Sequence, residues 1–326
     1  MINRKTNVGI SIGRLMLCFL VVMCHFGGGS NFAGYVRRLA VPAFTFIAFY
    51  LTWGMFYNRD CYKIRQRMIR LLIPYISWGT LYYAGVSCLR GTVMPASSLI
   101  WQLISGASQE LNPTLWFLLA QMLYVLILSL IFLLAGSLRQ ANLAVIMLLI
   151  LCLLLQYSGL SVELFWEWRI ELKYTTGFTL EVFPYAILGS MLGWADQEIK
   201  ISKNIVWIVC CIGFSAGLFL PEYLTEGFGY YGVKMLICGV MLSGIFIFFP
   251  FALKKIASFI NRVAKYSLGA YCLHLGVGRI LQGILTETYE KKIPSVLFCF
   301  IIYICSFVIA FLIGKIPSKF AKKMVS

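Results

Sequence analysis

From Ser295 to Ile313 not one charged residue interrupts an apolar run. A stretch of that kind is long enough to cross the hydrocarbon core of a bilayer, which takes about 20 residues of helix. Apolar runs of 17 to 21 residues recur along the whole chain. In lipid, helices of this length keep each backbone N–H and C=O paired within the segment. A mean hydropathy of +0.85, with 60% hydrophobic and 12% charged residues, excludes an ordinary soluble domain. The expected fold is therefore an all-α integral membrane protein with about ten transmembrane helices in one bundle.

The ten segments fall at 8–26, 39–57, 71–89, 115–135, 141–157, 178–195, 203–220, 232–250, 266–285 and 294–314. An even number puts both termini on one side, and Lys and Arg identify that side. The N-terminus, the even-numbered loops and the C-terminal end carry 18 of the 28 basic residues. The odd-numbered loops carry 8, and Arg14 and Arg279 lie inside helices. Both termini are expected to be cytoplasmic. The same distribution explains the net charge of +16 without nucleic acid, because the bases are scattered over short loops. Residues 1–314 read as one membrane domain and 315–326 as a basic cytoplasmic tail. Arg4 and Lys5 precede the first apolar run and Gly27-Gly28-Gly29-Ser30 follow it, but Arg14 breaks the run and no A-x-A site is visible. A retained first span is expected rather than a signal peptide. Nine of the eleven cysteines lie in apolar runs with no metal-type spacing, which predicts small buried residues and no metal site.

Within the first span, Arg14 and His25 are costly at membrane depth, and such residues mark sites or pathways. Eleven residues at about 100° each bring the two within roughly 20° of one face, about 16 Å apart along the axis. His25 is the candidate general base, since imidazole titrates near the operating pH. Cys24 points about 100° away, so a Cys–His nucleophile pair is not expected. The second loop is the most basic stretch. Lys63, Arg67 and Arg70 follow i, i+4, i+7 and would share a face if the third helix starts early. They read either as an anchor beside anionic headgroups or as an anion clamp for phosphates. In the third loop, Leu99–Ile104 is too short to span and is expected to be re-entrant or interfacial. Glu110 follows it, and Trp116 opens the fourth span, where an interfacial aromatic is the ordinary reading. The fifth loop, 158–177, is a candidate substrate-facing lid. In the ninth span Tyr271 and His274 are i, i+3 neighbours, and a packing role is the ordinary reading of His274.

These residues also resemble a family. Arg14 and His25 match the R/K-x10-H element of the acyltransferase 3 family of integral membrane O-acyltransferases. Arg67-Met-Ile-Arg70 is similar to its RxxR element, Leu115-Trp116-Phe117-Leu118 to its WFL element, and Ser267 through Tyr271 to His274 to its S-x-x-x-Y-x-x-H element. Four elements in order cover the chain. It departs from the family pattern at Ser11, at Ala48-Phe49-Tyr50-Leu51 and at Thr114.

The resemblance implies an acyl-CoA donor on the cytoplasmic side, acetyl-CoA or another short acyl-CoA. It implies transfer to a hydroxyl of a cell-envelope or exported glycan, or of a lipid-linked sugar, in the bilayer of a bacterial cytoplasmic membrane. Arg14, Arg67, Arg70 and Lys63 would hold the donor's phosphates and His25 would act as base. Trp116, Tyr271, His274 and Glu110 are candidates for holding the acceptor or the oxyanion. From buried ionisable residues alone the alternative is a transporter or flippase for a sugar, amino acid or lipid-linked intermediate. The two halves show no obvious repeat that would favour it.

Overall fold

The computed structural model describes residues 7–28, 31–92, 95–105, 113–157, 170–198, 202–220, 232–251, 254–288 and 295–325. Among them all regular structure is helical. We number the α-helices α1 (Val8–Phe26), α2 (Asn31–Arg38), α3 (Ala40–Tyr57), α4 (Cys61–Arg90), α5 (Ala96–Ser105), α6 (Trp116–Leu134) and α7 (Leu138–Tyr157). They continue with α8 (Ile170–Glu198), α9 (Lys203–Leu218), α10 (Val233–Ile247), α11 (Lys254–Ala264), α12 (Ser267–Thr288), α13 (Ser295–Lys315) and α14 (Lys319–Val325).

A helix lies over each of the ten expected segments. Among the described residues, five are long and apolar enough to cross a membrane: Val8–Phe26, Ala33–Tyr57, Pro113–Leu134, Leu138–Gln156 and Ser295–Lys315. The apolar α9 and α10 are shorter than that, while α4, α8 and α12 are long but carry charged residues. The protein is an all-helical integral membrane protein.

The first helix is the hub of the bundle. It packs against α2, α3, α10, α11, α12 and α13. Leu17 and Val21, with Cys18 and Val22 beside them, form a buried i, i+4 stripe along it. Asn7 caps its start by accepting from the Gly9 amide at 2.9 Å, and the Asn7 amide donates to the Ile247 carbonyl at the end of α10, at 2.5 Å. Its far end is held by Arg37. That buried guanidinium donates to the carbonyls of Met23 (2.8 Å), Gly27 and Ala33 (2.8 Å). The Met23 carbonyl also accepts from the Gly27 amide at 3.0 Å, the bond that closes the last turn of α1, and a cation is favoured at this end by the helix dipole.

Neighbouring α12 runs parallel to α1 and in register with it. The Cys18 thiol donates to the Ser267 carbonyl at 3.2 Å, and seven residues further along both helices the rings of His25 and His274 meet. Seven residues are about two helical turns, so the two rungs recur on the same seam.

The third span does start early, at Cys61, ten residues ahead of the apolar segment. Asp60 caps it by accepting from the Lys63 amide at 3.0 Å. The turn before it places Arg59 at φ 51°, a left-handed conformation uncommon for a side chain of this size, and Arg59 Nη2 donates to the Ala135 carbonyl after α6 at 2.8 Å. Leu99–Ile104 belongs to α5, which is fixed to α4 by the Tyr75 hydroxyl donating to the Leu103 carbonyl at 2.6 Å. The basic C-terminal segment is not a loose tail. α14 folds back with Ala321, Met324 and Val325 buried, and Trp78 Nε1 donates to the Met324 carbonyl at 3.0 Å.

Candidate active site

Helices α1, α3, α4, α6 and α12, with α14 at one end, enclose a cavity of about 550 Å³. Five of its lining residues are basic: Arg14, Arg67, Arg70, Lys265 and Lys323. No carboxylate is among the described lining residues. Arg67 is half-buried, and its Nε is a buried donor with no hydrogen-bond partner. Like charges converging without a counter-ion are unfavourable in a low-dielectric wall, so the arrangement is suited to hold an anion of several charges. Arginine forks fit phosphate or carboxylate oxygens in pairs.

Deeper in the cavity the wall becomes apolar and aromatic, with Phe44, Ile47 and Phe117. One polar group stands among them. Gln121 donates its amide to Thr45 Oγ1 at 2.8 Å, which leaves its Oε1 buried and without a partner. Beyond it, Tyr271 forms the inner wall. Its hydroxyl donates to the Thr114 carbonyl at 2.8 Å, and its ring lies 5.5 Å from that of Phe117 and 5.8 Å from that of His274.

His274 is fully buried, and its Nδ1 is 2.5 Å from the Tyr271 carbonyl. Its ring centre is 5.3 Å from that of His25. His25 itself does not line the cavity. It stands in the last turn of α1 and connects to the cavity wall through His274 and then Tyr271. Arg279 follows His274 by five residues along α12.

The model of a family described as "Acyltransferase domain" matches residues 7–315, nearly the whole chain. The chain belongs to the acyltransferase 3 family. No curated protein and no solved structure matches it. Membership makes it a membrane acyltransferase.

In this acyltransferase the structure brings together Arg14, Arg67, Arg70 and Tyr271 around the cavity, and His25 and His274 beside it. Lys63 is not brought there. Its ammonium pairs with Asp60 at 2.6 Å on the outside of α4, 65% exposed, and this hydrogen-bonded pairing holds the Asp60 carboxyl below the usual carboxylate range. The i, i+4, i+7 face of Lys63, Arg67 and Arg70 exists, but its first residue serves the helix start. Trp116 is buried edge-on to Phe117 (6.1 Å) and does not line the cavity. The Tyr271 hydroxyl has its one hydrogen committed to Thr114, which argues against its use as an oxyanion donor in this arrangement. Glu110 and residues 158–169 of the candidate lid 158–177 lie outside the described residues, and 170–177 are not loop but the start of α8.

Lys265, Lys323, Gln121 and Arg37 were not singled out by the sequence reading. The first two look like ordinary cytoplasmic bases, and Arg37 counts as an odd-loop base in the charge asymmetry. Only the packing of α14 and α2 against the bundle shows where Lys323 and Arg37 point.

Proposed function

We propose that this acyltransferase takes an acyl group, acetyl or another short one, from acyl-CoA and transfers it to a hydroxyl of a glycan or lipid-linked sugar. The observation that carries the reading is the cavity with five bases and no described carboxylate, in which Arg67 keeps a buried unpartnered N–H. A donor carrying several phosphates matches that charge, and an uncharged arm matches the apolar and aromatic part of the wall. Arg14 and His25 are about 16 Å apart along α1, and the reading requires the arm to pass the cavity wall at Tyr271 to bring the thioester to His25.

His25 is the base in this reading. The acceptor oxygen attacks the thioester carbonyl, the new C–O bond forms and the C–S bond breaks. The hydroxyl proton passes to His25 and from there to the leaving thiolate. Ten spans with both termini cytoplasmic fit the 18-to-8 division of the loop bases and put the basic end of the cavity on the donor's side. A bacterial cytoplasmic membrane is the setting this implies.

The test is transfer of labelled acetyl from acetyl-CoA to cell-envelope glycan in membranes carrying the full chain. Transfer that needs His25 and saturates with acetyl-CoA is expected. Glycan modification that proceeds without acetyl-CoA turnover would overturn the reading.

A further inference from the structure

The bond between His274 and the Tyr271 carbonyl decides the chemistry of the whole ring. A carbonyl oxygen only accepts, so Nδ1 carries the hydrogen. In the neutral ring Nε2 is then left with a lone pair. That nitrogen is buried and has no hydrogen-bond partner. Buried polar atoms are nearly always paired, and an exception calls for a physical account. The Tyr271 hydroxyl does not supply the partner, since its hydrogen goes to Thr114. The other ring beside His274 with an N–H to give is that of His25, with ring centres 5.3 Å apart. Two imidazoles joined by an N–H···N bond of about 3 Å have centres roughly 5 Å apart, so a small rotation of either ring closes the bond.

The mount of His274 is rigid. Three bonds fix the α12 segment here: His274 to Tyr271, Tyr271 to Thr114, and the Tyr82 hydroxyl to the Cys272 carbonyl at 2.9 Å. That hydroxyl also accepts from the Gly276 amide at 3.0 Å, so it is inserted between the carbonyl and amide that an unbroken helix would join. Position 276 has to be glycine for this, because a Cβ would lie 2.9 Å from the Tyr82 oxygen. On the facing helix, Arg37 grips the carbonyls around the turn that carries His25.

From this geometry we infer that His274 is a positioning residue that fixes the tautomer of His25. His274 Nε2 accepts the N–H of His25, so the other His25 nitrogen keeps its lone pair for the acceptor hydroxyl. The catalytic consequence rests on the reading of His25 as base; the tautomer itself does not, which lets the two be tested separately.

The chain has two histidines, so ¹⁵N-imidazole labelling of the full-length protein in nanodiscs gives signals from these two rings alone. Recorded at about pH 8, above the ordinary imidazole value, wild type is expected to show Nδ1–H for His274 and one tautomer for His25. In His274→Leu the remaining ring is expected to become a mixture of tautomers. In His274→Gln, whose amide oxygen still accepts, a single His25 tautomer is expected to return. A mixed His25 tautomer in wild type overturns the inference without any variant having to fold. An unchanged single tautomer in His274→Leu overturns it too.

The kinetic arm uses labelled acetyl-CoA. His274→Leu is expected to lower kcat for acetyl transfer about 10- to 100-fold with KM for acetyl-CoA within about twofold, and His274→Gln to recover most of the loss. A parallel rise in KM, or no recovery in Gln, assigns His274 to packing. Absence of acetyl transfer in wild type, with the tautomer pattern as expected, sinks the donor reading and leaves the pairing of the two rings standing.

Discussion

The two ends of α1 solve different problems. Around Arg14 the bundle opens into a cavity with five bases on flexible side chains from α1, α4, the start of α12 and α14. Around His25, whose ring is exposed on one side and meets the buried His274 on the other, the groups are rings and carbonyls joined by single, specific bonds. The first end attracts charge, and loss of one contributor leaves four. The second has no such redundancy: one nitrogen, one lone pair and one mount set its chemistry. Substitutions at the two ends should therefore separate, with binding failing at one and turnover at the other.

His25→Ala tests the separation most severely. Loss of a general base costs about 10²- to 10⁴-fold in rate, and binding of labelled acetyl-CoA to the full chain is expected to survive. Acetyl transfer retained in the variant would remove His25 from catalysis and leave the cavity as the whole site.

At the other end, Arg67→Gln is expected to weaken acetyl-CoA binding about 10- to 100-fold. A hydrogen bond to a charged group contributes about 1.5–3 kcal/mol, and the N–H of Arg67 that lacks a partner is the one buried in the wall. The effect should appear in KM, with kcat at saturating donor nearly unchanged. A loss confined to kcat would mean that Arg67 acts at the reacting centre, and the division between the two ends would fall.

Arg37 belongs to the His25 end although it is hydrogen-bonded to neither histidine. Arg37→Met removes the guanidinium from the carbonyls of Met23, Gly27 and Ala33, of which Met23 keeps the Gly27 amide as donor. The expected result is about a tenfold lower kcat, from a loosened last turn of α1, with donor binding intact. Hydrogen bonds to a charged group contribute about 1.5–3 kcal/mol each, so a lower thermal midpoint of the purified protein is expected as well. Unchanged kcat with a lowered midpoint would show that Arg37 serves folding alone.

What the sequence disclosed follows the same division. The first span, its shared Arg14–His25 face and the early-starting helix with Arg67 and Arg70 are local patterns, decided by residues within a few turns of one another. The meeting of His25 with His274 is not local. It depends on the register of α1 against α12, whose first rung joins Cys18 to Ser267 across 249 residues, and no periodicity carries that information. Lone histidines in apolar helices are ordinary packing residues, which is how His274 reads by itself. Arg37 reads as a loop base because a run of eight residues with two terminal arginines gives no sign that α2 tucks beneath the end of α1. Lys63 fails in the opposite direction: its helical spacing is right, but the carboxylate three residues earlier takes it for the helix start.

The smallest effect concerns α14. Lys323 reaches the cavity because Ala321, Met324 and Val325 are buried on the opposite side of the same short helix and Trp78 holds the Met324 carbonyl. Lys323 is an exposed side chain, so its charge is screened, and an exposed cation contributes little alone. Lys323→Gln is expected to raise KM for acetyl-CoA about two- to threefold at low salt, and less as ionic strength rises past a Debye length of about 10 Å near 0.1 M. Trp78→Phe removes the bond that seats the helix but none of the cavity charge, and should raise KM similarly by letting α14 shift. If Trp78→Phe raises KM while Lys323→Gln does not, α14 contributes shape and not charge. The Arg14 end of α1 would then be a four-cation site with a lid, a sharper contrast to the His25 end than the one drawn from charge alone.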